Sequence, residues 1–242
     1  MAGHSQYANI KHRKDAQDNK RGKMFQKLSR EIYVAVKLGG YNIENNPRLK
    51  LMLEKARRIN MSKDNINRAI KKATSKNETT NYEAITYEGY GPSNVAIIIH
   101  CLTDNKNRTT SNIRSYFNKL HGHLAATNAV QHLFQTVGII KFSSLLLVEE
   151  ILEIIIDFEI FSLEKNEDII EIEVNPKQLA AVINLLVKNN INDFLANEIV
   201  NVPHELITIS DQQQVKLITS LLETIENDDD VIAIEHNFKK AQ

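Results

Sequence analysis

Residues 169–200 read IIEIEVNPKQLAAVINLLVKNNINDFLANEIV, and their periodicity changes twice, near 175 and again near 193. Ile170, Ile172 and Val174 alternate with Glu171 and Glu173, which predicts a strand over 169–174 with one buried face. Asn175-Pro176 then offers a cap and a first-turn proline, and Leu179, Val182, Ile183 and Leu186 share one side of the helix that follows. A further strand is expected within 193–202. Upstream, 139–142 and 158–162 read as strands and 146–156 as a helix. Strand, helix, strand, strand, helix, strand is the order of a ferredoxin-like unit.

On either side lie pieces that are incomplete alone. Residues 82–88 and 95–102 read as strands around a turn at Gly89 to Asn94, followed by a helix marked by Ile113, Phe117 and Leu120 and a strand at 130–134. The tail offers an edge strand near 205–209 and a capping box at Ser210 and Gln213. It continues as a helix with Val215, Ile218, Leu222 and Ile225 inward, a solvated Asp228-Asp229-Asp230 turn and a strand at 231–235. A lone strand, helix and strand would leave an apolar sheet face bare, so the tail should complete the unit begun at residue 82.

Ahead of these, three amphipathic helices are predicted. Phe25, Leu28, Ile32 and Ala35 mark the first, closed by Gly39-Gly40. Leu49, Met52, Leu53 and Ala56 mark the second, after Pro47. Ile66, Ala69, Ile70 and Ala73 mark the third, capped by Ser62. Residues 75–81 read as a linker. Residues 3–21 hold few groups able to pack, so this arm is expected to order only on a partner. The fold class expected is multidomain α+β: a basic arm and helical bundle over 1–76, a discontinuous α/β domain over 82–136 plus 203–242, and a ferredoxin-like domain inserted over 137–202.

Charge divides along the same line. The first 76 residues hold 19 of the 30 Lys and Arg but 6 of the 30 Asp and Glu, so a net charge of zero hides +13 in front and −13 behind. A segregated basic region points to a polyanion, and nucleic acid is the first candidate. The single cysteine, Cys101, rules out an internal disulfide framework. No apolar run approaches the ~18 residues that span a bilayer, and the amino terminus has neither a secretory nor a mitochondrial signature. A soluble, cytoplasmic protein is expected, without a membrane partner.

The candidate nucleic-acid residues are Lys11, His12, Arg13, Lys14, Lys20, Arg21, Lys23, Lys27, Arg68, Lys71, Lys72 and Lys76. Arg68, Lys72 and Lys76 fall four apart, a row opposite the apolar stripe of the third helix. Lys supplies point charges and Arg paired hydrogen bonds to phosphate. Tyr7 is the candidate for base stacking, whereas Phe25 reads as core.

Catalytic signals are weak. Cys101 shares the parity of Val95, Ile97 and Ile99, which makes it a core residue. His121 and His123 lack the further ligands of a metal site. No glycine-rich phosphate loop precedes a helix, and residues 103–108 read as a polar loop leading into one. No enzyme activity, cofactor or metal is expected.

The strings GHSQYANIKHRKDAQDNKRGKMFQKLSREI, NPRLKLMLEKAR, NMSKDNINRAIKKA, NYEAITYEGYGP and LTDNKNRT resemble, in order, the motifs of the YebC family. The resemblance spans essentially the whole chain. It implies an amino-terminal helical domain followed by two α/β domains, one interrupting the other. It implies DNA-binding transcriptional regulation, while mitochondrial relatives act as translational activators and bacterial relatives have been linked to the ribosome. The partners implied are DNA or ribosomal RNA, with the acidic domains left for the ribosome or a second protein. The chain departs from the family pattern at Tyr7 (Trp), Ser62 (Pro), Ser93-Asn94 (a glycine pair) and in glycine-rich positions near His121 and Asn128. Glycine adopts positive φ that Ser and His disfavour, so those loops are expected to shift.

Overall fold

The structure is a computed structural model that describes the backbone of residues 3–75 and 80–241, with side chains from Arg21 onward within the first helix. It is a multidomain α+β protein. Helix α1 runs over Gly3–Gly39, α2 over Pro47–Arg58 and α3 over Lys63–Thr74. Leu28, Ile32, Tyr33 and Val36 of α1 bury against Leu49, Met52 and Ala56 of α2 and Ala69 and Ala73 of α3. Gly40, at φ +78°, ends α1. A side chain on Gly39 would collide with Asn46, whose amide donates to the Ala35 and Gly40 carbonyls and whose oxygen caps α2 at the Leu49 N–H. Ser62 caps α3 through the Asn65 N–H, as its position suggested.

The arm departs from expectation, because α1 is helical from Gly3. Packing of residues 28–36 nucleates the helix, and extension from a nucleus is cheap for a stretch with no proline and much Lys, Arg, Gln and Ala. The linker residues 76–79 lie outside the described residues.

Beyond the bundle come β1 (Glu83–Tyr90), β2 (Ala96–Thr103), α4 (Lys106–Lys119), β3 (His123–Leu124), β4 (Phe134–Ser143), α5 (Val148–Ile155), β5 (Ile160–Asn166), β6 (Ile169–Val174), α6 (Leu179–Lys188), β7 (Phe194–Pro203), β8 (Ile207–Ile209), α7 (Gln212–Glu226), β9 (Val231–His236) and β10 (Phe238–Lys240). Strands order as β3-β1-β2-β9 in one sheet, β5-β6-β4-β7 in a second, and β8 with β10 as a parallel pair. Strand β9 pairs antiparallel with β2, Ile99 opposite Ile234, so the chain returns to the first sheet after building the second. Ile113 and Phe117 of α4 and Ile218, Leu221 and Ile225 of α7 cover one face of the first sheet. Ala96 and Ile98, on its other face, pack against Val130 and Phe134. In the second sheet Ile140, Phe142, Ile170, Ile172 and Val174 lie beneath Ile151, Ile155, Val182 and Leu186.

The strand expected at 130–134 is instead a short 3₁₀ turn over Gln131–Leu133, with β4 beginning at Phe134. The buried Glu88 carboxylate accepts from the N–H groups of Asn128, Val130 and Gln131 at 2.7, 2.7 and 3.1 Å. Those donors are therefore unavailable to a strand ladder.

Candidate nucleic-acid interface

Three consecutive inward turns of α1 carry Lys23, Lys27 and Arg30, and all three meet the end of α7. Lys23 Nζ donates to the Asn227 carbonyl at 2.9 Å, Lys27 Nζ to that of Glu226 at 2.5 Å, and Arg30 Nη1 to that of Asp229 at 2.7 Å. Carbonyls at a helix C-terminus carry partial negative charge, which suits cations. Burial pulls the Lys27 pKa down, against the pull of Glu226, Asp228 and Asp229.

Beneath them lies an acidic turn that differs from the solvated one expected. Asp228 and Asp230 are buried, at 9% and 3% exposure. Asp230 Oδ1 accepts from Arg30 Nη1 at 2.8 Å. Its Oδ2 accepts from Arg108 and Thr109 at 2.8 Å and from Thr103 at 3.1 Å. Burial pushes the Asp230 carboxyl up, but hydrogen bonds from Arg108, Thr109 and Thr103 and the Arg108 charge outweigh it, so the carboxyl sits below its ordinary value. Asp228 accepts from Tyr116 Oη at 2.8 Å and Asn112 Nδ2 at 3.3 Å. The loop at 103–108 thus does more than lead into α4. Asn105 caps the helix, while Thr103 and Arg108 clasp the turn.

The candidate cations consequently fall in different places. Arg68, Lys71 and Lys72 are exposed on α3, whose Ala69 and Ala73 are buried. Arg68 and Lys72 line a hollow of about 240 Å³ with Arg30, Tyr33 and Tyr82. The Arg30 guanidinium lies 5.8 Å from the Tyr82 ring centre. Arg21 reaches the Asn60 carbonyl at 3.5 Å, between α2 and α3, with its guanidinium 5.4 Å from the Phe25 ring centre. Lys23 and Lys27 are turned to α7. The side chains of Tyr7, Lys11, His12, Arg13, Lys14 and Lys20, and all of Lys76, lie outside the described residues.

A second bridge joins α2 to β7: Lys55 pairs with Glu198 at 2.7 Å, and Arg58 donates to the Leu195 carbonyl at 2.7 Å. Sequence reasoning passed over Arg30, Lys55, Arg58 and Arg108 as site residues. Their only signal was positive charge, and what sets them apart is a partner far along the chain. Cys101 is a core residue at 2% exposure, and burial pushes its thiol up to about 12. Among the described residues no group of His, Cys, Asp and Glu is placed to hold a metal, and no helix is long and apolar enough to cross a membrane.

Comparison with known proteins places this geometry in a family. Residues 5–76 match the model of the TACO1/YebC protein N-terminal domain, and residues 82–238 match that of the TACO1/YebC second and third domain. The chain belongs to the TACO1/YebC family. A probable transcriptional regulatory protein of Geobacillus sp. is 44% identical over all of this chain and 98% of its own length. A protein of the same description from Enterococcus faecalis is 43% identical over 96% of each. The crystal structure of a conserved hypothetical protein from Aquifex aeolicus superposes with a TM-score of 0.79 at 37% identity, covering 92% of both chains. For this TACO1/YebC chain, the glycines that the family pattern led us to expect near residues 93, 121 and 128 are absent, yet the backbone keeps positive φ there. Ser93, Asn94 and His121 stand at +58° and Asn128 at +64°. The loops retain the glycine-type conformation instead of shifting.

Proposed function

We propose that this chain is a non-enzymatic, nucleic-acid-binding regulator of gene expression that acts in the cytoplasm on transcription, through duplex DNA. The observation that carries the reading is the exposed row of Arg68, Lys71 and Lys72 on α3, within a front third that holds +13 of net charge. The names of the relatives, probable transcriptional regulatory proteins, support the same reading. So does the helical course of α1 through the basic arm, since the major groove of B-DNA admits a helix and that of A-form RNA does not. The proposed contacts are the α3 row with Lys76, Arg21 and the arm residues Lys11, His12, Arg13, Lys14 and Lys20, with Tyr7 stacking on a base. Lys23 and Lys27 are left out because α7 already holds them. We assign the bundle to 1–76, the discontinuous domain to 82–136 plus 203–242 and the inserted domain to 137–202.

With about six to eight phosphates contacted, log K should fall with log salt at a slope of about −5 to −7. The test compares duplex DNA, ribosomal RNA and intact ribosomes in one salt series. DNA binding with that slope, and no tighter binding to ribosomes, is expected. Saturable ribosome binding alongside weak, wholly salt-sensitive DNA binding would replace this reading with that of a translation factor.

A further inference from the structure

A cleft of about 630 Å³ separates α2 from α6 and β7, a size that suits a small-molecule ligand. Its α2 side presents Lys50 and Arg57, both exposed and neither hydrogen-bonded nor ion-paired among the described residues. Leu51 on α2 and Ile183 and Val187 on α6 add apolar surface to its lining. Beside the cleft, Lys55–Glu198 and Arg58–Leu195 tie α2 to β7.

Asn197 lines the β7 side. Its backbone is fixed in the sheet opposite Ile140, yet its side-chain amide makes no hydrogen bond among the described residues, and Oδ1 is shut from solvent without a partner. A buried amide oxygen is normally satisfied, and an unsatisfied one on a strand calls for an explanation. No hydrogen bond holds the amide in its present rotamer, so a turn about χ2 would offer both its carbonyl and its NH₂ to the cleft. An asparagine amide offered edge-on matches adenine, accepting from N6–H and donating to N7. Glu54 and Asp193, the carboxylates of the lining, would repel phosphate but can accept from sugar hydroxyls.

We infer that this cleft takes one adenine nucleotide flipped out of the bound duplex, its base paired with Asn197 and its phosphate on Lys50 and Arg57. The inference rests on the nucleic-acid reading above and adds a base preference to it.

The test titrates the full chain with adenosine 5′-monophosphate and with purine riboside 5′-monophosphate, which lacks only the amino group. Adenosine monophosphate should bind at least about fivefold more tightly, the lower range for one such pair. Asn197→Leu should abolish that difference, Asn197→Asp should keep the acceptor and part of it, and Arg57→Ala should weaken both ligands equally. In a second arm, an oligonucleotide with one unpaired adenine should outcompete the fully paired one. Equal binding of the two monophosphates, or no binding at millimolar concentration, overturns the inference. If salt-dependent oligonucleotide binding persists in that case, only the inference falls; if it too is lost, the nucleic-acid reading falls with it.

Discussion

Asp230 gathers four donors around one carboxylate and thereby ties Arg30 of α1 to Arg108 of α4. Removing a buried charge with that many partners leaves two guanidinium groups and two hydroxyls short of an acceptor. Asp230→Asn should cost about 3 kcal/mol in denaturant unfolding at neutral pH. Its folded pKa lies below the ordinary 3.8, so this stability is present in full above the unfolded value and is lost as pH falls through the lower folded one. Wild type and Asp230→Asn should therefore converge in stability below about pH 4; curves that stay parallel down to pH 2 would mean that the carboxylate contributes nothing through its charge. Cys101 makes the opposite case, of a group with chemistry that the fold suppresses. With its thiol at about 12 and its side chain in the core, it should react with Ellman's reagent at pH 8 at least about a hundredfold more slowly than free cysteine, and at the ordinary rate in denaturant.

At the scale of elements, the loops at Ser93-Asn94, His121 and Asn128 hold non-glycine residues in left-handed backbone. The conformation costs ordinary residues about 1–2 kcal/mol, part of which glycine gives back through chain entropy. His121→Gly and Ser93→Gly should each stabilise by about 0.5–1 kcal/mol in chemical denaturation. Loss of stability in both would show that the side chains contribute more than the backbone strain takes away. These loops also mark the limit of what the sequence could say. Strand β6 was legible to its ends because Ile170, Ile172 and Val174 bury while Glu171 and Glu173 do not, a local alternation. The cap of α7 fell one residue later than read, at Asp211 accepting from the Gln214 N–H, because Ser210 and Asp211 are both competent caps. Glu88 and Asp230 were illegible for a different reason. Each looks like a solvated acid in its own neighbourhood, and burial becomes affordable only through donors that lie 40 and 200 residues away.

For the whole molecule, the two halves of opposite charge are in part joined to each other. Lys23, Lys27 and Arg30 meet the end of α7, and Lys55 meets Glu198, so some of the front cations serve cohesion. Two sets of substitutions separate the roles. Replacing Lys11, Arg13 and Lys14 by Ala should weaken polynucleotide binding, flatten the salt slope by about 2–3 and leave the melting temperature unchanged. Replacing Lys23 and Lys27 by Ala should lower the melting temperature and leave the slope as it was. The opposite pattern would move the binding face onto the inner side of α1.

Because α1 is one helix from Gly3 to Gly39, the grip at residues 23–30 acts as the fulcrum of a lever. About 30 Å of helix lies between that grip and residue 3, so tilting the rod by about 10° sweeps its tip through about 5 Å, more than the roughly 3.4 Å of axis between successive phosphates of one strand. The aim of the arm is thus set by chemistry about 30 Å from its tip, where three carbonyls and one carboxylate hold the rod.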